Sequence, residues 1–396
     1  MQRQHFRRYH SLDAVRAAMM LLGLVIHSAA SYTATSLGAA WPYWDPQKST
    51  LFDLVVFSIH LFRMPVFFVV AGFFAALLYC RDGAACFAIN RFRRVLVPLA
   101  LFWIPIFPLV AAGFTFANGR AAGLIDWTPI TSGSFLQHPT LIHFWFLWDL
   151  AIFYAAALLV VPVASRAPER WRPGVDRWFA RIATRVWGAY ALAGITALTL
   201  LPMEVPALET SAEFVPPVRV LLAYAVFFSF GWLLFRRRDI IVPIGARWKA
   251  PMAAGVLASA LYLVVTVGRP IADPRMFHLA GVALAALSMW LLIFGILGAF
   301  VSLMDHPRPL VRYLSDAAYW MYLVHLPITI WVPGALAATG LPAIVKFFVV
   351  FLTTTSVTVL TYHLFVRSTA IGALLNGRRY PRSLLQRPTT VEHAAV

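Results

Sequence analysis

The 396-residue chain predicts an all-α, polytopic integral membrane protein, and three observations carry that expectation. Hydrophobic residues make up 61% and charged residues 12%, against roughly 45–50% apolar and about 25% charged in soluble domains, which excludes a soluble globular protein. Apolar runs recur ten times, near 14–32, 51–78, 95–117, 141–163, 186–201, 218–235, 250–267, 277–302, 313–332 and 342–366. Most approach the ~20 residues that one bilayer crossing needs. Basic residues also alternate between successive connections: with the N-terminus inside, 25 of the 33 Lys and Arg fall in inside segments. Both termini are therefore expected to be cytoplasmic.

Taken in order, the first run follows Arg3, Arg7 and Arg8, and a cleaved signal peptide ending at Ser28-Ala29-Ala30 competes for it. Asp13 and Arg16 interrupt the apolar core that such a peptide requires. The third run carries Pro98, Pro105 and Pro108, tolerable in a membrane helix whose neighbours satisfy the freed carbonyls. The fifth is short and stops at Pro202, and the ninth contains Pro327. Inside connections hold Arg81, Arg91, Arg93 and Arg94, then the group from Arg166 to Arg185, then Arg236 to Lys249, then Arg308 and Arg312. The outside loops hold only Lys48, Arg120, Arg269 and Arg275. The net charge of +17 is thus topology, and no nucleic-acid partner is expected. Residues 1–366 read as one transmembrane domain and 367–396, with Pro381 and Pro388, as a basic, disordered cytoplasmic tail. Cys80 and Cys86 make neither a disulfide framework nor a metal site.

Ionisable groups inside a bilayer are costly, so each is a functional candidate. On the first helix Asp13, Arg16 and His27 form one polar stripe, because the eleven-residue step from Arg16 to His27 returns to within about 20° of the same face. His27 lies about 20 Å along the helix from Ala14, in the outer half of the membrane. There an imidazole can act as general base to a hydroxyl. A core histidine bonded to a carbonyl, and a local Asp13–Arg16 pair at the inner interface, are the competing readings. The second run carries Asp53, His60 and Arg63, with His60 about 14 Å from Leu51 and so near the depth of His27. Gly72 permits close helix approach. On the fourth run His143 and Asp149 flank Trp145 and Trp148, which read as interface anchors, and the ninth contributes Asp316 and His325. His27, His60, His143 and His325, with Arg63 and Asp149, are expected to meet at similar depth in one outward cavity, as acceptor-binding or oxyanion-stabilising groups. His278 and His363 are assigned to structural hydrogen bonds.

The inner side offers a complement. Arg91-Phe92-Arg93-Arg94 places three guanidinium groups before the third run, suited to bidentate phosphate binding. Any inside loop gathers arginine, which is the competing explanation.

Several stretches together resemble the membrane acyltransferase 3 family. They are Ser11-Leu12-Asp13-Ala14-Val15-Arg16-Ala17-Ala18 followed by His27; Phe67 to Phe73; Arg91 with Arg94; His143-Phe144-Trp145-Phe146-Leu147; and Tyr319-Trp320-Met321-Tyr322-Leu323-Val324-His325. They occur in the family's order. Met20-Leu21-Leu22-Gly23 and Ile59 to Phe68 look most like its glucans biosynthesis protein C branch. The resemblance implies a bacterial inner-membrane enzyme of about ten helices that takes an acyl group from cytoplasmic acyl-CoA and esterifies a periplasmic carbohydrate hydroxyl. For this branch it implies succinylation of periplasmic glucans. It matches His27 to the family's essential histidine, Arg16, with Asp13 beside it, to its first-helix arginine, and Arg91 with Arg94 to its cytoplasmic arginine pair, which Arg93 adjoins. Ala71 departs from the pattern, which usually has serine there.

The scheme that follows has Arg91 and Arg94 hold the CoA phosphates while His27 takes a proton from a glycan hydroxyl, by direct transfer or through an acyl-histidine. Acyl-CoA, as succinyl-CoA or acetyl-CoA, enters as donor substrate, with no permanently bound cofactor and no metal. The partners are the lipid bilayer, acyl-CoA and the carbohydrate acceptor; oligomeric state is open, a homodimer included. Acetyl transfer to O-antigen or another envelope glycan is one alternative. A proton-coupled transporter or flippase is the other, although the chain has no visible two-half repeat.

Overall fold

The computed structural model describes residues 9–166 and 168–381, and Arg3, Arg7, Arg8, Arg382 and Arg387 of the charge pattern lie outside them. Among the described residues the regular structure is helical, apart from one bridge between Thr33 and Ser49. The chain runs through α1 (His10–Ala29), α2 (Thr50–Arg91), α3 (Val97–Ala122), α4 (Trp145–Ser165), α5 (Arg172–Thr184) and α6 (Gly188–Leu200). It continues through α7 (Val218–Arg236), α8 (Lys249–Gly268), α9 (Pro274–Leu303), α10 (Pro309–Leu336), α11 (Ala343–Thr361) and α12 (Ala370–Asn376).

Seven helical stretches are long and apolar enough to cross a membrane. One of them, Thr50–Ala122, holds both the second and third apolar runs. Helix α6, at 13 residues, is about 20 Å long, shorter than the ~30 Å hydrocarbon layer. Helix α10, which carries the ninth run, is not among the seven. Proline lies inside α2, α3, α4 and α10, which membrane helices tolerate, and α10 is tied to α3 by Trp331 Nε1, which donates to the Leu109 carbonyl at 2.9 Å.

Helix α9 is apolar on every side and buried over 78% of its most apolar stretch, which makes it a central post. Helix α1 is buried over 67% of its own and packs on α2, α9, α10 and α11. Two glycines set the spacing of α2 and α7: a Cβ on Gly72 would overlap the Phe228 carbonyl, and one on Gly231 would overlap the Val69 carbonyl. The backbones therefore touch directly, as small residues allow in membrane helices. Gly83 (φ 80°, ψ 171°) breaks the course of α2, a conformation for which an L side chain pays steric strain. The chain then passes through a π-helical turn, Phe92–Leu96, into α3.

Three features shape the connections between helices, and the second departs from expectation. The connection from Arg166 to Arg185 contains the amphipathic helix α5, whose Phe179, Ile182 and Ala183 are buried and whose Asp176 pairs with Arg236 at 2.9 Å. The segment after Arg367, expected to be disordered, begins as helix α12. Asn376 Nδ2 donates to the Asp316 carbonyl at 3.0 Å and Tyr380 Oη to the Asp316 carboxylate at 3.1 Å; the tail beyond Pro381 lies outside the described residues. The loop from 30 to 49 is built rather than open: Asp53 accepts from the Ala34 and Thr35 amides at 2.8 Å each, and Lys346 of α11 binds Asp45 at 3.0 Å with both side chains fully buried.

Candidate active site

A cavity of about 350 Å³ runs between α1, α2, the π-helical turn, α4 and α10. Arg16, Arg91 and Arg94 line one end; His27, Arg63, His143 and His325 line the other. On α1 the two ends are eleven residues apart, about 16 Å. The walls between are apolar and aromatic, including Met20, Phe67, Val70 and Phe146, while Phe74, Tyr154 and Tyr319 contact the arginines themselves.

At the histidine end, His27 lies with its ring centroid 5.0 Å from His325 and 5.7 Å from Trp41, against which it stacks. His325 is in turn 5.1 Å from His143. His325 Nδ1 is 2.8 Å from the Tyr322 carbonyl and 3.1 Å from that of Met321. Only a protonated Nδ1 satisfies such contacts, so in the neutral ring the lone pair is on Nε2, which is buried and has no protein partner. Both ring nitrogens of His143 are likewise buried and unpartnered. His143 is presented on a 3-10 turn in which Ile142 takes φ 49°, a position that costs a β-branched residue roughly 1–3 kcal/mol. Tyr322 Oη donates to the His143 carbonyl at 2.7 Å and holds this turn against α10. Trp41 roofs this end: its Nε1 donates to Ser31 Oγ at 2.9 Å, and its ring meets Phe114 edge-on at 5.5 Å.

At the other end Arg91 lies over Tyr154 with its Cζ 5.1 Å from the ring centroid, and its Nε is buried without a partner. The Arg94 carbonyl accepts from Tyr319 Oη at 2.6 Å. Arg94 also lines a second, open pocket of about 380 Å³ with Arg93, Asn90, Cys86 and Gly377. One arginine thus joins the inner cavity to a surface pocket formed by the turn before α3 and the end of α12.

The structure brings His27, Arg63, His143 and His325 to one end and Arg91 with Arg94 to the other. Arg16 shares the face of His27 but not its depth: it belongs with Arg91 and Arg94, and pairs with Asp13 at 3.5 Å. Asp13 does not line the cavity, nor does Arg93, which lines only the surface pocket. His60 is turned away, its Nε2 3.2 Å from the Leu208 carbonyl, and Asp53 on the same face is taken up by loop amides. Asp149 is 1% exposed, does not line the cavity, and has no hydrogen-bond partner on either oxygen. His278 bonds the Leu201 carbonyl at 3.2 Å and His363 faces Tyr313 Oη at 3.5 Å, as structural histidines do. Trp145 lines the cavity, whereas Trp148 Nε1 donates to the Phe214 carbonyl at 2.9 Å. Ala71 is a wall residue of the cavity and offers no hydroxyl. Sequence reasoning missed Trp41, whose stacking on His27 has no local signature.

A helical bundle with several bilayer-length apolar helices defines a multi-pass membrane protein, and its internal cavity holds histidines at one end and arginines at the other. The chain belongs to the acyltransferase 3 family, whose acyltransferase domain matches residues 9–363, and is an acyltransferase. Glucans biosynthesis protein C of Salmonella agona (strain SL483) and of Salmonella heidelberg (strain SL476) are each 25% identical to it over 334 residues, covering 82% of this chain and 83% of theirs. No solved structure matches the chain.

Proposed function

We propose that the protein is a bacterial inner-membrane O-acyltransferase that moves a succinyl group from cytoplasmic acyl-CoA to a hydroxyl of a periplasmic glucan. Its chain crosses the bilayer ten times with both termini inside. The observation that carries this reading is the single cavity whose lining joins Arg91 and Arg94 to His27. The basic-residue pattern supports a cytoplasmic arginine end, and the start of α1 and helix α12 lie at that same end, Gly377 packing on the Arg94 guanidinium.

In this scheme Arg94, shared by the surface pocket and the cavity, and Arg91 grip the donor phosphates by charge-assisted hydrogen bonds. The pantetheine arm follows the apolar wall. The acceptor oxygen attacks the thioester carbonyl as His27 takes the hydroxyl proton. The C–S bond breaks, a C–O ester bond forms, and the departing thiolate recovers a proton from the imidazolium. His325, its tautomer fixed by its own helix, offers Nε2 to orient the His27 ring. The glucan acceptor is supported by the similarity to glucans biosynthesis protein C and by the family.

The purified chain in nanodiscs, given succinyl-CoA and a periplasmic glucan, is expected to add about 100 Da per ester by mass spectrometry, against about 42 Da for acetyl. His27→Ala should abolish transfer while the protein still inserts and runs as a folded species. Normal turnover in that variant overturns the assignment of His27.

A further inference from the structure

The cavity is lined by four arginines and no carboxylate. Three of those arginines sit at the end assigned to phosphate binding, where Arg16 has Asp13 as counter-charge. Arg63 stands apart, projecting from the middle of α2 onto α1. There a Cβ on Gly23 would lie 3.1 Å from its Cζ and 3.2 and 3.3 Å from its two terminal nitrogens. Three nearly equal distances mean that the guanidinium plane lies flat across the α1 backbone, in a slot that a side chain at position 23 would fill. Its Nε is buried without a partner, and no ion pair to Arg63 exists among the described residues. Asp149, the acidic residue embedded on α4, leaves both of its own oxygens unpartnered rather than reaching it. A guanidinium desolvated without a counter-charge is strongly unfavourable, so the cavity is complete only when a ligand brings the anion.

Position identifies which part of the ligand that is. Gly23 is four residues before His27, about 6 Å along α1, and well away from Arg91 and Arg94. A carboxylate joined to the reacting carbonyl through three C–C bonds of about 1.5 Å each, plus one hydrogen bond, matches that separation.

We propose that Arg63 is the residue that selects the acyl group. Its planar fork holds the free carboxylate at the far end of a dicarboxylic half-thioester, of which succinyl is the simplest fit, while the thioester carbonyl sits at His27. The proposal rests on the acyl-transfer reading above. It differs from a role for Arg63 in stabilising the tetrahedral oxyanion, which every acyl donor generates.

The test measures kcat/KM of the protein in nanodiscs for succinyl-CoA, for its neutral terminal methyl ester and for acetyl-CoA. In the wild type, blocking the carboxylate should lower kcat/KM by about tenfold to a hundredfold, the range for loss of a charge-assisted hydrogen bond. In Arg63→Gln the preference for succinyl-CoA over the other two should collapse to within about threefold, and Arg63→Lys, charged but without the fork, should fall between. The wild-type comparison stands even where a variant fails to fold. Equal use of succinyl-CoA and its methyl ester by the wild type overturns the proposal, as does a parallel loss on all donors in Arg63→Gln, which marks an oxyanion donor. Absence of ester formation from any donor by the wild type instead overturns the acyl-transfer reading itself.

Discussion

Replacing Lys346 by methionine leaves the buried Asp45 carboxylate with two donors, Tyr43 Oη at 3.0 Å and the Gln47 amide at 2.8 Å, in place of a set that includes Lys346 Nζ at 3.0 Å from both oxygens. Burial, and then the Asp45 carboxylate itself, push the Tyr43 phenol above its ordinary range, so Tyr43 stays a donor but brings no charge. Both members of the ion pair are fully buried, and stripping one partner from such a pair costs about 3–5 kcal/mol. Lys346→Met should therefore lower the unfolding midpoint in detergent by on the order of 4–6 °C. Adding Asp45→Asn removes the orphaned charge while keeping an acceptor for the Gln47 amide, and should recover roughly half of the loss. Thermal unfolding of the wild type, both single variants and the double gives the coupling directly. Because the same loop carries Trp41 onto His27, the single variant should also raise the acceptor KM. A shift under about 1 °C for Lys346→Met, or a double variant as unstable as the sum of the singles, refutes the claim that this pair closes the loop.

Arg91→Gln and Arg94→Gln should each raise the apparent KM for acyl-CoA by about tenfold or more, with little change in acceptor KM; steady-state kinetics with each substrate varied separates the two. Trp41→Ala removes the ring stacked on His27 and should lower kcat by roughly threefold to tenfold, the worth of one aromatic contact, without a matching loss of donor affinity. Gly231→Ala places a methyl group on the Val69 carbonyl and should destabilise the α2–α7 packing by about 1–3 kcal/mol, read as a lower unfolding midpoint with donor KM preserved.

The apolar runs were legible because hydropathy is a local property, and His27 and the Arg91–Arg94 pair because a titratable group in or beside such a run stands out against it. Depth was less legible than face. The eleven-residue step correctly put Arg16 and His27 on one side of α1, yet also separated them by most of a bilayer leaflet, so Arg16 serves the opposite end of the cavity. Contacts between helices distant in sequence were legible only as shared depth, which foresaw the meeting of His27, Arg63, His143 and His325 but also included His60 and Asp149, which stay out of the cavity. Asp45 and Lys346 are 301 residues apart, and no spacing rule connects α1, the turn at His143 and α10, which meet at the histidine cluster. His60 and Asp53 shared a face and the expected depth, but loop backbone groups reached them first. Helix α5 escaped notice because its short apolar stripe, Phe179, Ile182 and Ala183, lies within an arginine-rich segment that resembles an ordinary inside loop.

In the proposed scheme, with acyl-CoA as donor, the arginines of the cavity resolve a conflict that transfer across a membrane creates. The donor is polyanionic at its nucleotide end and its reactive thioester must reach His27, about 16 Å away along α1, through surroundings that oppose charge. Placing Arg91 and Arg94 only at the mouth, with walls of Met20, Phe67, Val70 and Phe146 beyond, would keep the phosphates outside and admit only the arm, whose apolar stretches cost little to bury. The wall therefore sorts the donor by polarity along its length. One charge is admitted past that wall, at Arg63, and a carboxylated acyl group is the part of the donor that would carry it. By this logic a positively charged side chain midway along the wall, as in Phe67→Lys, one turn beyond Arg63 along α2, should hold phosphate too deep. It should raise donor affinity or leave it unchanged while lowering kcat by about tenfold or more, because a misplaced thioester lies outside reacting distance of His27. Loss of donor affinity with kcat preserved refutes sorting by the wall.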